Sequence, residues 1–259
     1  MDMNGKIAVV TGGASGIGQA VARRLAEAGG KVAIFDLNED AGQAMVAELG
    51  ADNCVFANVN VVDEASVRAG IEATVTAMSA IHVNVNCAGI GNAAKTLGKN
   101  GPFPLDLWNT VIAVNLTGTF NVLRLCAEVM AKNEPVTDDG ARGVIINTAS
   151  QLAFTGAMNR SVYSTTKAGL VQFTRAAATE WAQYGVRVVA LAPGPTETPM
   201  INEIIATPEG RAQRLDKIPW QRFGIAEEMA QLALVLASNL SDNVTGHTLV
   251  ADGGYVAAS

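Results

Sequence analysis

The sequence predicts an α/β fold: one doubly wound parallel sheet of about seven strands with helices on both faces. Short runs of β-branched and other apolar residues alternate with longer segments of helical periodicity along the chain. Such alternation is typical of parallel strands joined by crossover helices. Hydrophobic residues make up 49% of the chain and charged residues only 16%, as expected for a sheet buried on both faces. We therefore expect a single domain over residues 1–259.

The strands and helices of this fold can be placed individually. Apolar residues recur at helical spacing between the strands, for example in residues 18–28 and 227–237. Gly29, Gly50 and Gly185 follow such segments, where glycine commonly ends a helix. The predicted strands are Lys6–Val10, Lys31–Phe35, Cys54–Ala57, Val83–Asn86, Val144–Asn147, Val186–Leu191 and Thr248–Val250.

Three connections are longer than a link between a strand and a helix requires, namely residues 95–104, 133–142 and 193–220. Long loops in a compact domain are often functional. In an open α/β sheet, ligands bind beyond the carboxyl ends of the strands. We predict that all three loops approach that edge and contact the substrate.

The charge and cysteine content disfavour several classes of function. A net charge of −6 argues against nucleic-acid binding, which depends on clustered Lys and Arg. Cys54, Cys87 and Cys126 are not spaced like a zinc site or a disulfide framework, and the two histidines belong to no metal-ligating pattern. We therefore expect no metal. Because no apolar run resembles a signal peptide or a membrane span, we expect a cytoplasmic protein that does not bind membranes.

A glycine-rich turn follows the first predicted strand and leads directly into a helix. It contains Gly12, Ser15, Gly16, Ile17 and Gly18, with the glycine spacing G-x-x-x-G-x-G. Glycines let backbone N–H groups and the positive end of a helix approach a diphosphate closely. The turn predicts a dinucleotide site in a Rossmann-type sheet. A plain glycine turn is the alternative for the motif taken alone.

Asp36 ends the second predicted strand, about 20 residues beyond the glycines, where a carboxylate can accept hydrogen bonds from a ribose. This carboxylate would repel the 2′-phosphate of NADP. Neither Ser15 nor the adjacent Leu37, which would also lie beside the cofactor, offers a compensating positive charge. We therefore predict NAD as the cofactor. The alternative is that Asp36 only caps the following helix.

Tyr163 and Lys167 are four residues apart in a predicted helix, so both side chains lie on one face. Ser150 follows the strand predicted at 143–148 and lies at the edge where chemistry is expected. Tyrosine titrates near pH 10, so its pKa must fall by about 2 to 3 units for it to act as a base at neutral pH. Lys167 and a positively charged nicotinamide are expected to supply that shift.

The chain resembles the short-chain dehydrogenase/reductase family over essentially its whole length. The matching motifs occur in the family's order and are the glycine turn, Asn86-Cys87-Ala88-Gly89, Asn115, Ser150, Tyr163 with Lys167, and Pro193-Gly194. The resemblance implies that Tyr163 exchanges a proton with the substrate oxygen and that Ser150 holds this oxygen. It also implies a homotetramer formed through the helices near residues 117–130 and 162–182.

The resemblance assigns roles to further residues. Lys167 would bind the ribose and lower the pKa of Tyr163, and Asn115 would complete a proton relay through water. The family usually has Asp-Val after the third strand, but here Asn60-Val61 stands there. The Asn60 amide still offers an acceptor to the adenine. Residues expected along the adenosine are Val61, Ala88 and Gly89, and those along the nicotinamide are Pro193, Gly194, Thr196 and Thr198.

Within the family, residues 113–135 and 142–150 are similar to the type-two 3-hydroxyacyl-CoA dehydrogenases. This similarity implies a 3-hydroxyacyl-CoA as the alcohol. Lys95 and Lys99 would then lie at the mouth of the site and attract the coenzyme A phosphates, unless they are ordinary solvated lysines. The same chemistry on a hydroxysteroid or a small hydroxyketone is an alternative, and a non-catalytic NAD-binding module is another.

Overall fold

A computed structural model describes residues 1–91, 93–99 and 101–259 of the protein. At its centre lies a seven-stranded sheet in which all neighbouring strands are parallel. The strands are β1 Ile7–Thr11, β2 Lys31–Asp36, β3 Cys54–Asn58, β4 Val83–Asn86, β5 Gly143–Thr148, β6 Val186–Pro193 and β7 Thr248–Ala251. Their spatial order is β7-β6-β5-β4-β1-β2-β3, which confirms the predicted doubly wound sheet.

Helices cover both faces of this sheet. Leu25 and Leu234 belong to the core cluster on one face, and Leu123 and Ala177 belong to the cluster on the other. All four side chains are at least 95% buried. In the described part of the chain the α-helices are α1 Gly16–Glu27, α2 Glu39–Leu49, α3 Glu64–Met78, α4 Leu105–Ile112, α5 Thr119–Met130, α6 Ser161–Trp181, α7 Pro199–Ile205, α8 Pro208–Leu215 and α9 Ala226–Ala237.

The predicted elements agree closely with the observed ones. All seven predicted strands are present, with ends that differ by no more than two residues. Gly29, Gly50 and Gly185 have φ angles of 92°, 86° and 71° just beyond helical segments. A positive φ is unfavourable for residues with a Cβ, so glycine ends the helices at these positions as predicted.

A continuous helical stretch runs from Leu105 to Met130 and includes a π-helical segment at Ala113–Gly118. It is long and apolar enough to cross a membrane, and it is the one such stretch among the described residues. More than half of its most apolar window is buried inside the fold. A buried core helix is apolar for the same reason as a membrane span. Polar residues such as Asn115 and Arg124 interrupt the stretch, so the sequence showed no continuous apolar run.

The long connection at residues 133–142 lies at the amino-terminal edge of the sheet, because it leads into β5. The Arg142 N–H donates to the Gly185 carbonyl at 2.7 Å, and Asn133 Nδ2 donates to the Ile81 carbonyl at 2.7 Å. These partners precede β6 and β4. Since ligands bind at the opposite, carboxyl edge, the prediction that this loop approaches the ligand-binding edge is wrong.

The other two long connections lie near the carboxyl edge. Residues 95–104 contain a small antiparallel hairpin formed by Leu97–Gly98 and Gly101–Pro102, and position 100 of this predicted loop lies outside the described residues. Residues 193–220 contain α7 and α8, which follow the end of β6. These two segments can therefore border the predicted site.

Gly18 lies where α1 packs against the glycine turn. A Cβ at this position would overlap the Gly12 carbonyl oxygen and lie 2.7 Å from the carbonyl carbon. We expect Gly18→Ala to displace the turn and to lower the free energy of unfolding by about 1–3 kcal/mol, measured by urea denaturation. The control is Gly156→Ala, since apart from its two chain neighbours no described residue has a heavy atom within 4 Å of its Cβ position. Equal stability of the two variants would contradict this tight packing.

Candidate active site

A cleft of about 430 Å³ opens at the carboxyl edge of the sheet. Its lining brings together every residue predicted to contact the cofactor or to move a proton, except Asn115. These lining residues are Gly12, Ser15, Gly16, Ile17, Gly18, Asp36, Leu37, Asn60, Val61, Ala88, Gly89, Ser150, Tyr163, Lys167, Pro193, Gly194, Thr196 and Thr198.

The glycine turn presents the start of α1 to this cleft. Ser15 is the N-cap residue of α1, its side chain makes no capping hydrogen bond, and no acidic residue occupies the first helical turn. The first N–H groups of a helix have no partner within the helix and carry the positive end of its dipole. Gly16 has a φ of 53°, which lets the backbone turn without a side chain in the way. The turn therefore fits the diphosphate of a dinucleotide.

The loops after β1 and β4 are held together beside the glycine turn. Thr11 Oγ1 accepts hydrogen bonds from the N–H groups of Cys87 and Ala88, each at 3.1 Å. A Cβ on Gly12 would lie 2.9 Å from the Ala88 nitrogen, so only glycine allows this approach. Cys87 Sγ lies 3.3 Å from Thr148 Oγ1, and burial raises the pKa of the thiol. Cys87 is therefore a packing residue rather than a nucleophile.

Asp36 joins the glycine turn to the end of β2. Its Oδ2 accepts a hydrogen bond from the Ala14 N–H at 3.1 Å, and its Oδ1 accepts one from the Asn38 N–H at 3.1 Å. Each carboxylate oxygen has a second lone pair for a ligand. The N-cap of α2 is Asn38, whose side chain accepts a hydrogen bond from the Ala41 N–H. Asn38 therefore caps α2, and Asp36 does not.

Asn60 and Val61 form the turn after β3 at one side of the cleft. Asn60 Oδ1 accepts a hydrogen bond from the Val62 N–H at 3.2 Å, and the Asn60 N–H donates to Ser66 Oγ at 3.0 Å. The Val61 carbonyl accepts a hydrogen bond from Asn121 at 3.1 Å. The amide of Asn60 thus closes its own turn, and its carbonyl oxygen retains acceptor capacity.

Tyr163 lies in the first turn of α6, and Ser150 precedes a 3-10 turn after β5. Ser150 Oγ accepts a hydrogen bond from the Leu152 N–H at 3.2 Å and donates to Gln151 Oε1 at 2.9 Å. Burial raises the pKa of Tyr163, whereas the hydrogen bond with Ser150 and the charge of Arg160 act in the opposite direction. Burial of the phenol therefore outweighs the groups that favour its ionised form.

Lys167 lies one helical turn beyond Tyr163 and is only 5% exposed. Its Nζ donates to the Thr148 carbonyl at 2.7 Å and lies 5.6 Å from the centroid of the Tyr163 ring. Burial lowers the pKa of Lys167 to about 8, against the opposing effect of Cys87. The predicted pair thus faces one point, with the amine held between the end of β5 and the tyrosine ring.

Asn115 is fully buried behind the cleft, within the π-helical segment. Its Oδ1 accepts a hydrogen bond from the Ile90 N–H at 2.8 Å, and its Nδ2 donates to the Ile90 carbonyl at 2.9 Å. Thr119 Oγ1 donates to its main-chain carbonyl at 3.0 Å. The side chain therefore fixes the loop after β4, and the proton relay through Asn115 stays a prediction.

The turn after β6 forms the wall next to the catalytic residues. The Gly194 N–H donates to the Ala251 carbonyl at 2.9 Å, and a Cβ on Gly194 would lie 2.5 Å from Asp252 Cα. Thr196 Oγ1 donates to the Gly194 carbonyl at 3.0 Å, and Thr198 Oγ1 donates to the Thr196 carbonyl at 3.3 Å. These bonds fix the wall on which the nicotinamide is expected.

A second cavity of about 320 Å³ lies beside the catalytic residues. The sequence patterns did not predict this cavity. Arg160 could have been found, since it stands three residues before Tyr163, a spacing that brings helical side chains together. The residues of α8 could not, because nothing local links them to Ser150. The described residues lining the cavity are Gln151, Leu152, Gly156, Ala157, Met158, Asn159, Arg160, Pro195, Gln213, Arg214, Lys217 and Tyr255.

Lys95 and Lys99 are exposed and are not among the described residues that line either cavity. The hairpin that carries them does reach the start of α6, where Thr96 Oγ1 donates to Ser161 Oγ at 3.0 Å. Among the side chains that the structure describes, no three of His, Cys, Asp or Glu lie together as a metal site. His82 has a structural contact, since its Nδ1 accepts a hydrogen bond from the Ile7 N–H.

The chain is similar to known proteins over most of its length. A family model described as enoyl-(acyl carrier protein) reductase matches residues 12–256. The 3-hydroxyacyl-CoA dehydrogenase type-2 of Rattus norvegicus is 40% identical over 240 residues, which cover 92% of this chain and 90% of the relative. The 2,5-dichloro-2,5-cyclohexadiene-1,4-diol dehydrogenase of Sphingobium indicum is 34% identical over 257 residues, which cover 99% of both chains.

A solved structure is similar over nearly the same length. The crystal structure of 3-hydroxyacyl-CoA dehydrogenase type-2 from Mycobacterium avium has a TM-score of 0.90 and 34% sequence identity, and the match covers 96% of this chain and 95% of that one. The chain therefore belongs to the short-chain dehydrogenase/reductase family, whose members are oxidoreductases that use a nicotinamide cofactor.

Proposed function

We propose that the protein is an NAD-dependent dehydrogenase that interconverts a secondary alcohol and a ketone. The observation that carries the proposal is that Ser150, Tyr163 and Lys167 converge in one cleft with the glycine turn and Asp36. A bound nicotinamide would accept or donate the hydride. A non-catalytic NAD-binding module is disfavoured, because a buried amine beside a buried phenol is costly and such perturbed groups cluster at catalytic sites.

Tyr163 is the group that moves the proton. During alcohol oxidation its phenolate oxygen takes the hydroxyl proton, and during ketone reduction its O–H returns it. The Ser150 hydroxyl lies close enough to Tyr163 to favour the ionised form of the phenol, so one substrate oxygen can reach both hydroxyl groups. The fixed Ser150 side chain, held by the Leu152 N–H, positions that oxygen. Burial keeps the phenol in its protonated form, which suits the reductive direction.

Lys167 supports the same step by its charge and its hydrogen bonds. An ammonium carries three N–H donors, and one of them is engaged by the Thr148 carbonyl. Donors therefore remain for a ribose hydroxyl in the cleft. The positive charge near the Tyr163 ring stabilises the phenolate. A protonated Lys167 would in this way favour ionisation of Tyr163 when the substrate proton is removed.

Asp36 supports NAD rather than NADP as the cofactor. Its carboxylate lies in the lining of the cleft, and Lys167 is the one cationic side chain among the described lining residues. A 2′-phosphate beside Asp36 would therefore meet a like charge without compensation. The ribose 2′-hydroxyl of NAD could instead donate to the free lone pairs of this carboxylate.

The substrate we propose is a 3-hydroxyacyl-CoA and its 3-ketoacyl-CoA product. The 40% identity to the rat enzyme of that name supports this choice. The Sphingobium relative, named for a cyclic diol, supports the alternative of a small hydroxyketone or another cyclic alcohol such as a hydroxysteroid. The two readings can be separated by turnover of an acyl-CoA panel against a panel of small alcohols.

We also propose a cytoplasmic homotetramer. Phe120 on α5 is 44% exposed and makes an edge-to-face contact with Phe173 on α6, with ring centroids 5.7 Å apart. Phe173 is half-buried, and an exposed aromatic ring supported by such a neighbour on a second helix suits a self-association surface. Cys54, Cys87 and Cys126 all lie in the described chain and form no disulfide with one another, as is usual in a reducing compartment.

Tyr163→Phe tests the proton-transfer role. We expect kcat/KM for acetoacetyl-CoA reduction by NADH to fall about 10²- to 10⁴-fold, while NADH affinity, measured by fluorescence titration, stays close to that of the wild type. Tyr184→Phe is the matched control, because Tyr184 is 48% exposed and lines neither described cavity. Full turnover by Tyr163→Phe would remove the assigned role.

Asp36→Asn tests the cofactor preference. Loss of the charged acceptor should raise the KM for NAD about tenfold and lower the KM for NADP, because the repulsion of the 2′-phosphate disappears. Asp52→Asn is the control, since Asp52 is exposed and lies beyond the opposite end of β3. Steady-state kinetics with both cofactors measure the change. An unaltered NAD-to-NADP ratio would show that Asp36 does not select the cofactor.

The lowered pKa of Lys167 makes stability depend on pH. In the folded protein Lys167 loses its proton near pH 8, whereas in the unfolded chain it keeps that proton to about pH 10.4. The unfolded state therefore binds the extra proton in this window, and stability rises with pH there. Relative to Lys167→Met, the wild type should gain about 2 kcal/mol of unfolding free energy from pH 7.5 to 9.5. The unfolding free energies of the two proteins are measured by urea denaturation at each pH. If they change equally with pH, Lys167 is not buried as the structure shows.

A further inference from the structure

The second cavity is positively charged, although the chain as a whole carries a net charge of −6. Arg160, Arg214 and Lys217 line it, and none of the described lining residues is Asp or Glu. Burial lowers the pKa of Arg160, and the charge of Arg214 lowers it further, as expected for two guanidinium groups that line the same cavity. Like charges gathered around one cavity favour a ligand of opposite charge.

This cavity is next to the reacting groups. Gln151 lines it and accepts a hydrogen bond from Ser150 Oγ at 2.9 Å. Arg160 also lines it, and its charge acts on the Tyr163 phenol. Arg160 Nη1 lies 3.6 Å from the Cβ position of Gly91, in the loop after β4. A molecule whose alcohol lies at Ser150 and Tyr163 can therefore extend directly into the cavity.

Two of the cations are available to a ligand. Arg214 and Lys217 form no salt bridge with any side chain that the structure describes, whereas Arg211, on the same helix as Arg214, is paired with Glu197. Cations are favourable at the C-terminus of any helix, and Arg214 stands in the last turn of α8. The helix dipole thus accounts for a cation at position 214. It does not explain why the side chains of both Arg214 and Lys217 line the cavity beside Ser150.

We propose that Arg160, Arg214 and Lys217 form an anion-binding subsite that holds a carboxylate or phosphate group of the substrate. The inference rests on the proposed function and narrows its substrate class to secondary alcohols that carry an anionic group. A volume of about 320 Å³ is at the small end of ligand sites. It has room for a short acid chain or for one phosphate-bearing part of coenzyme A.

The test uses the double variant Arg214→Gln/Lys217→Gln and three substrates with the same reacting alcohol. These are 3-hydroxybutyrate, 3-hydroxybutyryl-CoA and the uncharged N-acetylcysteamine thioester of 3-hydroxybutyrate. Arg160 is left in place because it also acts on Tyr163. We expect the KM of an anionic substrate to rise about tenfold or more, with kcat nearly unchanged and the KM of the neutral thioester within twofold of the wild type. A higher KM for 3-hydroxybutyrate would show that the subsite binds a carboxylate. A higher KM for 3-hydroxybutyryl-CoA would show that it binds a phosphate of coenzyme A.

The matched control is Lys95→Gln/Lys99→Gln, which removes two charges from the exposed hairpin. Equal effects on charged and neutral substrates, or a selective effect in the hairpin variant alone, would overturn the subsite. Malonate binding, measured by isothermal titration calorimetry with the NAD-loaded protein, provides a readout without turnover. We expect the cavity variant to bind malonate at least tenfold more weakly than the wild type, and no binding by the wild type overturns the proposal. If no alcohol is oxidised but malonate binding follows the variants, the proposed function fails and the subsite stands.

Discussion

The pairing of β1 with β4 is the constraint on which the site depends. Here the chain reverses its winding direction, so the loops after the two strands diverge and leave a crevice between them. The Thr11 hydroxyl fixes the distance between these loops by accepting two N–H groups. Gly12 permits the close approach, and Asp36 ties the same turn to β2. The dinucleotide cleft is thus a consequence of strand order, held by a few polar contacts.

Burial of the catalytic residues lowers the free energy of unfolding. Burying Lys167 disfavours its charged form, and burying Tyr163 disfavours the phenolate. The hydrogen bond from Lys167 to the Thr148 carbonyl and the contact between Ser150 and Tyr163 offset part of this cost. The site is held in place by elements that are stable for other reasons, namely the core strand β5 and the long helix α6, whose apolar faces are buried. Such rigidity keeps the reacting groups at fixed distances.

Charge is distributed unevenly over the ligand-binding edge. The cofactor end carries Asp36 and the uncapped start of α1, whereas the cavity beyond Ser150 carries three cations. The first end suits a dinucleotide, and the second suits the anionic group that we propose. Because the whole chain is acidic, the basic cavity is a local feature. In our proposal the residues of α8 and of the segment before α6, which line that cavity, distinguish one substrate from another.

The sequence alone was sufficient for the parallel sheet, the glycine turn, Asp36 and the pair Tyr163 and Lys167. These features depend on local periodicity or on short spacings along one element, which tertiary contacts seldom change. The tertiary structure decided the rest. It placed residues 133–142 at the edge away from the ligand, turned the Asn115 side chain toward Ile90, and left Lys95 and Lys99 outside both cavities. It also brought Arg214 next to Arg160 across more than fifty residues, a proximity set by how α8 packs after β6 and by no local pattern.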